Sequence, residues 1–115
     1  MTSSGGRHRL TVEVARTPEQ QSIGMMFRRS VAPYRGMLFP YAEPQVVAFW
    51  MKNTLVPLDL IFIRADGTIA QVAANAEPLS LDMIQSNEPI VAVLEIGGGR
   101  AAELGIAPGD RVSWR

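Results

Sequence analysis

Cysteine is absent from this 115-residue chain, and histidine occurs once, at position 8. The first absence removes disulfides, thiolate nucleophiles and thiolate metal ligands together, and leaves the redox compartment unmarked. The second leaves no set of imidazoles for a zinc centre or a Ser-His-Asp arrangement, so no metal and no cofactor are expected. An excess of charge of one sign is missing too. Eleven basic and eleven acidic residues cancel, so no broad positive field gathers nucleic acid, and no nucleic-acid partner is expected. Long apolar runs are also lacking. Stretches such as VVAFWM and IVAVL fall far below the roughly 20 residues a membrane-spanning helix requires. The opening MTSSGGRHRL has no apolar core of the kind an export signal carries.

What the chain does have is enough apolar material for one core: hydrophobic residues make up 47% and charged residues 19%, a globular composition. Residues 1–8 are expected to be a disordered polar stub, of the kind left behind a removed signal, and 9–115 a single β domain. RLTVEVAR alternates as a half-buried strand does. Thr17-Pro18-Glu19-Gln20 supplies a cap, a proline at the first helical position and a glutamine able to reach back to the cap, predicting a short helix to about Arg28. Met37-Leu38-Phe39 predicts a strand stopped by Pro40, and VVAFWMK (46–52) and LDLIFIR predict two more, paired as a hairpin. Asp66-Gly67 marks a turn into a return strand. The stretch 75–89 reads as an irregular loop, IVAVLEI as a buried strand, 100–104 as a short helix closed by Gly105, and 111–114 as a last strand. Short strands with few helices predict a mostly β fold, a small antiparallel β sandwich or jelly-roll-like barrel with one or two short helices.

Several patterns suggest chemistry. VAVLEIGGGRAA imitates a dinucleotide fingerprint, but too little chain follows Gly99 for the returning strand and the acid about 20 residues on. A weaker reading survives, in which the amides of Gly98, Gly99 and Arg100 hold an anion at a helix start. Six methionines read as packing filler rather than a copper site. Two acids stand inside apolar strands: Asp59 in LDLIFI and Glu95 in VAVLEI. A carboxylate buried without a partner costs several kcal/mol, so each requires partners, with Lys52, Arg28, Arg35, Arg100 and Asn53 the candidates. In the expected hairpin one register sets Lys52 opposite Asp59 and the other sets Met51 there; the alternation is compatible with both. Trp50, Lys52, Asn53, Asp59 and Glu95 therefore form either a polar pocket with an aromatic platform or a buried ion-pair network securing a strand connection.

The blocks Ile23-Gly24-Met25-Met26-Phe27-Arg28, Gly36-Met37-Leu38-Phe39, Phe49-Trp50-Met51-Lys52-Asn53-Thr54, Pro57-Leu58-Asp59, Phe62, Asp66-Gly67, Val93-Leu94-Glu95 and Gly109-Asp110 resemble the successive motifs of a bacterial and archaeal family, the domain of unknown function 192. The resemblance runs from about Leu10 to Trp114. It implies a compact β domain of sandwich or jelly-roll type without an established activity, in a family many of whose members look exported. A periplasmic or otherwise extracytoplasmic location is expected on that ground alone.

Three functions follow as expectations. The first is a small-ligand or accessory binding domain for a sugar or small anion, using Trp50, Lys52, Asn53, Asp59 and Glu95. The second is a hydrolase-like enzyme with Asp59 and Glu95 as an acid/base pair tuned by Lys52. The third is a protein-interaction domain without a small-molecule site.

Overall fold

The computed structural model describes residues 2–3 and 6–114. Elements follow in the order β1 (Thr2–Ser3), β2 (Gly6–Arg7), β3 (Thr11–Val14), α1 (Pro18–Ile23), β4 (Arg35–Gln45), β5 (Ala48–Phe49), β6 (Leu58–Ile63), β7 (Ile69–Ala76), β8 (Ile84–Gln85), β9 (Ile90–Gly97) and α2 (Arg100–Leu104). The stub expected over 1–8 falls partly outside the described residues; β1 and β2 pair with one another.

The main sheet has five strands in the order β3-β4-β9-β6-β7. Its contacts are antiparallel except for β3 with β4, which run parallel. The chain is mostly β with two short helices, and the sheet is mixed and open instead of closed into a barrel. Between the parallel strands runs α1, begun by the capping box read from the sequence. Thr17 Oγ1 accepts from the Gln20 amide at 3.1 Å, and Gln20 Oε1 accepts from the Thr17 amide at 3.1 Å. The helix stops at Ile23, earlier than expected, because Gly24 turns the chain at φ 49°.

Both faces of the sheet are covered, since β6 is buried along its whole length. One face carries Met37, Phe39, Leu58, Leu60, Phe62 and Val93, with Met25 and Met51 packed over them. The other carries Leu38, Ile61, Ile63, Leu94 and Ile96 under Ala101, Leu104, Ile106 and Val112 from the C-terminal segment. Strand alternation thus assigns neighbouring residues of one strand to separate cores.

Three expectations are corrected. Pro40 does not stop a strand: β4 continues to Gln45 with a register shift after Pro40. The Pro40 carbonyl accepts from the Gln21 side chain at 3.2 Å. A residue's N–H and C=O leave a strand on the same side, so proline's missing donor falls where β3 has ended and no ladder bond is lost. The hairpin of 46–52 with 58–63 does not form either. Only Ala48–Phe49 is extended, and it pairs with β8, while β6 lies between β9 and β7. The last strand over 111–114 reduces to a single bridge between Thr68 and Arg111. The radius of gyration, 12.8 Å, matches the roughly 13 Å of one folded domain of this size.

Candidate functional site

Asp59 and Glu95 sit on adjacent strands yet point in opposite directions. In the β6–β9 register Leu60 stands opposite Glu95, and Asp59 opposite Ile96. Paired residues share a face and successive residues alternate, so the sheet itself separates the two carboxyls. The expected acid/base pair is not formed.

Asp59 is fully buried, at 0% exposure. Its Oδ1 accepts from the amides of Asn75 at 2.8 Å and Gly99 at 3.0 Å, and its Oδ2 from the amide of Ala101 at 2.8 Å. Helix α2 has no side-chain cap of its own; Asp59 provides it from β6, placing a carboxylate at the positive end of the helix. The Gly98 amide is also taken, donating to the Pro57 carbonyl at 2.9 Å. The anion site read at Gly98, Gly99 and Arg100 is therefore filled by the protein's own carboxylate. Arg100 turns instead to Glu103, at 2.6 Å. The glycines are needed for approach: a Cβ on Gly98 would lie 2.8 Å from Pro57 Cβ and from Asn75 Oδ1.

Lys52 is not a partner of either acid. It is exposed, with Nζ 5.1 Å from the centre of the Trp50 ring, a cation–π contact. Asn53 adopts φ 55° and forms the tip of a turn. That turn is fastened from two sides. The Phe27 amide donates to the Asn53 carbonyl at 2.8 Å, the Met51 amide to Ser80 at 2.9 Å, and the Leu79 amide to Thr54 at 3.0 Å. Met51 is the buried anchor of the block, 1% exposed, and Thr54 is buried beside it. So FWMKNT is neither the five-residue polar pocket nor the ion-pair network: Met51 holds the core, Lys52 is exposed, Asn53 is half-buried at the turn, and Trp50 and Thr54 line a cavity.

That cavity, of about 380 Å³, opens over the face of the sheet that carries Glu95. Its walls come from α1 and the turn after it (Gln21, Ile23, Met25), from β4 (Phe39, Tyr41), from β5 (Phe49), and from Trp50 and Thr54. Phe39 and Phe49 meet edge to face, ring centres 5.2 Å apart. Among the described residues that line it, Glu95 alone is an acid or a base of the Asp, Glu, Lys, Arg or His type.

The Glu95 residue is 4% exposed. It stands between Met37 of β4 and Leu60 of β6, and among the described residues it has neither an ion-pair partner nor a hydrogen-bond donor. Among the described residues no buried side-chain oxygen is left wholly sealed without a partner, so the Glu95 carboxyl oxygens open onto the cavity. Burial pushes its pKa up to about 8, because a charge there loses its hydration with no compensating contact. Burial, and secondarily the nearby Glu95, push the Tyr41 phenol up to about 12.

A second hollow, of about 440 Å³, lies at the edge of β3 beside Glu13, Arg28 and Arg35. Its central charges already satisfy one another, since both Arg28 nitrogens bind the Glu13 carboxylate, the longer contact at 2.9 Å. The Glu95 cavity is the stronger candidate because its polar group is unspent. Sequence reading found Trp50 and Glu95. It missed Tyr41, assigned to a loop behind Pro40, and Phe49 and Thr54, which stood in the FWMKNT block without a role.

The fold and cavity define a class: a small, mostly β domain built on one five-stranded mixed sheet, with an ionisable carboxyl on the floor of an aromatic-walled cavity. The chain belongs to the family described as DUF192, Uncharacterized ACR, whose model matches residues 1–114. Two crystal structures are similar. One, a protein of unknown function from Novosphingobium aromaticivorans DSM 12444, is 45% identical with a TM-score of 0.95, over 98% of this chain and 81% of that one. The other, from Sinorhizobium meliloti 1021 and described as a candidate transcription regulator, is 49% identical with a TM-score of 0.91, over 95% of this chain and 85% of that one. No curated protein matches.

Proposed function

We propose that this domain binds a small organic ligand in the cavity between β4, β5, the turn after α1 and the Trp50–Thr54 loop. The observation that carries the reading is the Glu95 carboxyl, buried, without a partner among the described residues and open to the cavity. An unpartnered polar group in a core costs stability, and a ligand that supplies its hydrogen bonds recovers that cost. The volume suits a ligand of sugar or amino-acid size, and the walls offer ring faces from Phe39, Tyr41, Phe49 and Trp50 for its apolar parts. Gln21 and Thr54 add neutral polar groups. A small anion fits the lining poorly, since among the described residues no basic side chain lines the cavity. The extracytoplasmic placement implied by family resemblance is proposed with it, and fractionation of cells producing the natural gene product checks it.

A thermal-shift panel of sugars, amino acids, amines and phosphates tests the binding reading. A ligand specific to the native state raises the melting temperature in a concentration-dependent way. The expected result is a rise with at least one non-anionic class, diminished in Thr54→Leu, which fills the cavity from its wall. A panel without a single saturable rise sinks the proposal.

A further inference from the structure

Resting on that reading, we infer that the preferred ligand is a primary amine carrying an apolar stem, held as its ammonium by the ionised Glu95 carboxylate and by the aromatic walls. Three observations converge. Among the described residues Glu95 supplies the lining's one acidic side chain, and none of the described lysines or arginines lines the cavity to compete for it. Its oxygens open onto the cavity with no donor from the described residues. Four ring systems, Phe39, Tyr41, Phe49 and Trp50, stand around the same space. Ring faces attract cations, and the Trp50 ring already does so at the mouth, where Lys52 Nζ lies 5.1 Å from its centre.

The groups facing Glu95 decide the charge balance. From β4 the titratable neighbour is Tyr41, neutral across the physiological range, and the cross-strand neighbours are Met37 and Leu60. The helix side contributes Gln21 and Met25, and the Trp50–Thr54 loop contributes Thr54, none of them charged. Nothing in this surround stabilises a negative charge, so the empty cavity keeps Glu95 protonated near neutral pH. An alkylammonium supplies the missing counter-charge. Glu95 gives its proton to solvent, the ammonium keeps its own, and a buried, hydrogen-bonded ion pair replaces a neutral acid. One proton leaves for each ligand bound below the carboxyl's empty-state pKa. A neutral polyol accepts or donates hydrogen bonds to the protonated acid and releases none. A carboxylate or phosphate would keep Glu95 neutral and meet no cation.

Isothermal titration with an isosteric series tests this, using phenethylamine, phenethyl alcohol and phenylacetate so that only the head group changes. Runs in two buffers of different ionisation enthalpy count the protons. The expected result is tightest binding by the amine and close to one proton released at pH 6.5. Its affinity should rise about tenfold per pH unit from 6 to 7.5 and level off above 8. Glu95→Gln, which keeps the shape and the neutral charge of the empty protein, should abolish proton release and weaken the amine at least tenfold, with little effect on the alcohol. If the alcohol binds as tightly as the amine, or the amine binds without releasing a proton, the ammonium inference is overturned while the binding cavity stands. Absence of binding by all three at millimolar concentration, with no response in the thermal-shift panel, overturns both.

Discussion

Two buried carboxyls on adjacent strands, one register position apart, have opposite chemistry because of what faces them. Asp59 accepts three backbone amides and serves as the cap of α2. Glu95 receives none and opens to a cavity. The sequence made them look alike, since each interrupts an apolar strand, and burial was legible for both. Their partners were not. A side-chain search among Lys52, Arg28, Arg35, Arg100 and Asn53 could not find backbone donors that only the end of β7 and the turn at Gly98-Gly99 bring within reach. For Asp59 the consequence is testable. Asp59→Asn puts an amide NH₂ against a backbone N–H and removes a charge-assisted acceptor, and should cost about 2–4 kcal/mol in urea denaturation. Glu95→Gln measured in the same way near pH 7 should stabilise instead, by about 3 kcal/mol, because the wild-type fold must keep a proton that its unfolded chain has lost and glutamine has no such proton to hold.

Among the elements, those set by local pattern were readable and those set by remote pairing were not. The Thr17–Gln20 capping box and the turn at Asp66-Gly67 follow from residues within a few positions, and both formed. The parallel contact of β3 with β4 and the pairing of β5 with β8 join segments far apart in sequence, where alternation fixes a face but names no neighbour. The same limit hid half of the cavity: Tyr41 lies on the part of β4 that Pro40 seemed to exclude. Gly36 shows how tightly the elements meet. A Cβ there would stand 2.5 Å from the Glu95 backbone carbonyl and 3.0 Å from Ile96 Cγ2. Gly36→Ala must therefore part β4 from β9, at a cost of about 3 kcal/mol or more. A fall in denaturation midpoint of that size checks it, and a midpoint unchanged from wild type would mean that the two strands are not this close.

At the scale of the molecule, Glu95 should leave its mark on the pH dependence of folding. Its pKa is 4.5 as a free side chain and about 8 in the fold. The native state therefore holds a proton that the unfolded chain has lost, and stability declines as pH rises from about 4.5 to 8, then levels off with respect to this group. Glu13, lowered chiefly by its hydrogen bond to Arg28, acts in the opposite sense, its contribution being lost as pH falls below the usual carboxylate range. Stability is thus expected to peak near pH 5. The decline above that is on the order of 1.4 kcal/mol per unit of pKa shift, and so a few kcal/mol in all. Urea midpoints at pH 5, 7 and 9 should fall in wild type and stay nearly flat in Glu95→Gln. Parallel curves for the two proteins would place the pH dependence elsewhere.

The central claim is that Glu95 is a buried acid, unpaired among the described residues and open to a cavity. A carbon-13 NMR titration of the Glu95 side-chain carboxyl reads it directly, with Glu95→Gln assigning the resonance. The account predicts a midpoint near pH 8 in the empty protein, moving down by at least one unit when saturated with phenethylamine. A midpoint near 4.5, the ordinary glutamate value, would mean that the carboxyl is solvated or paired, and would contradict the account.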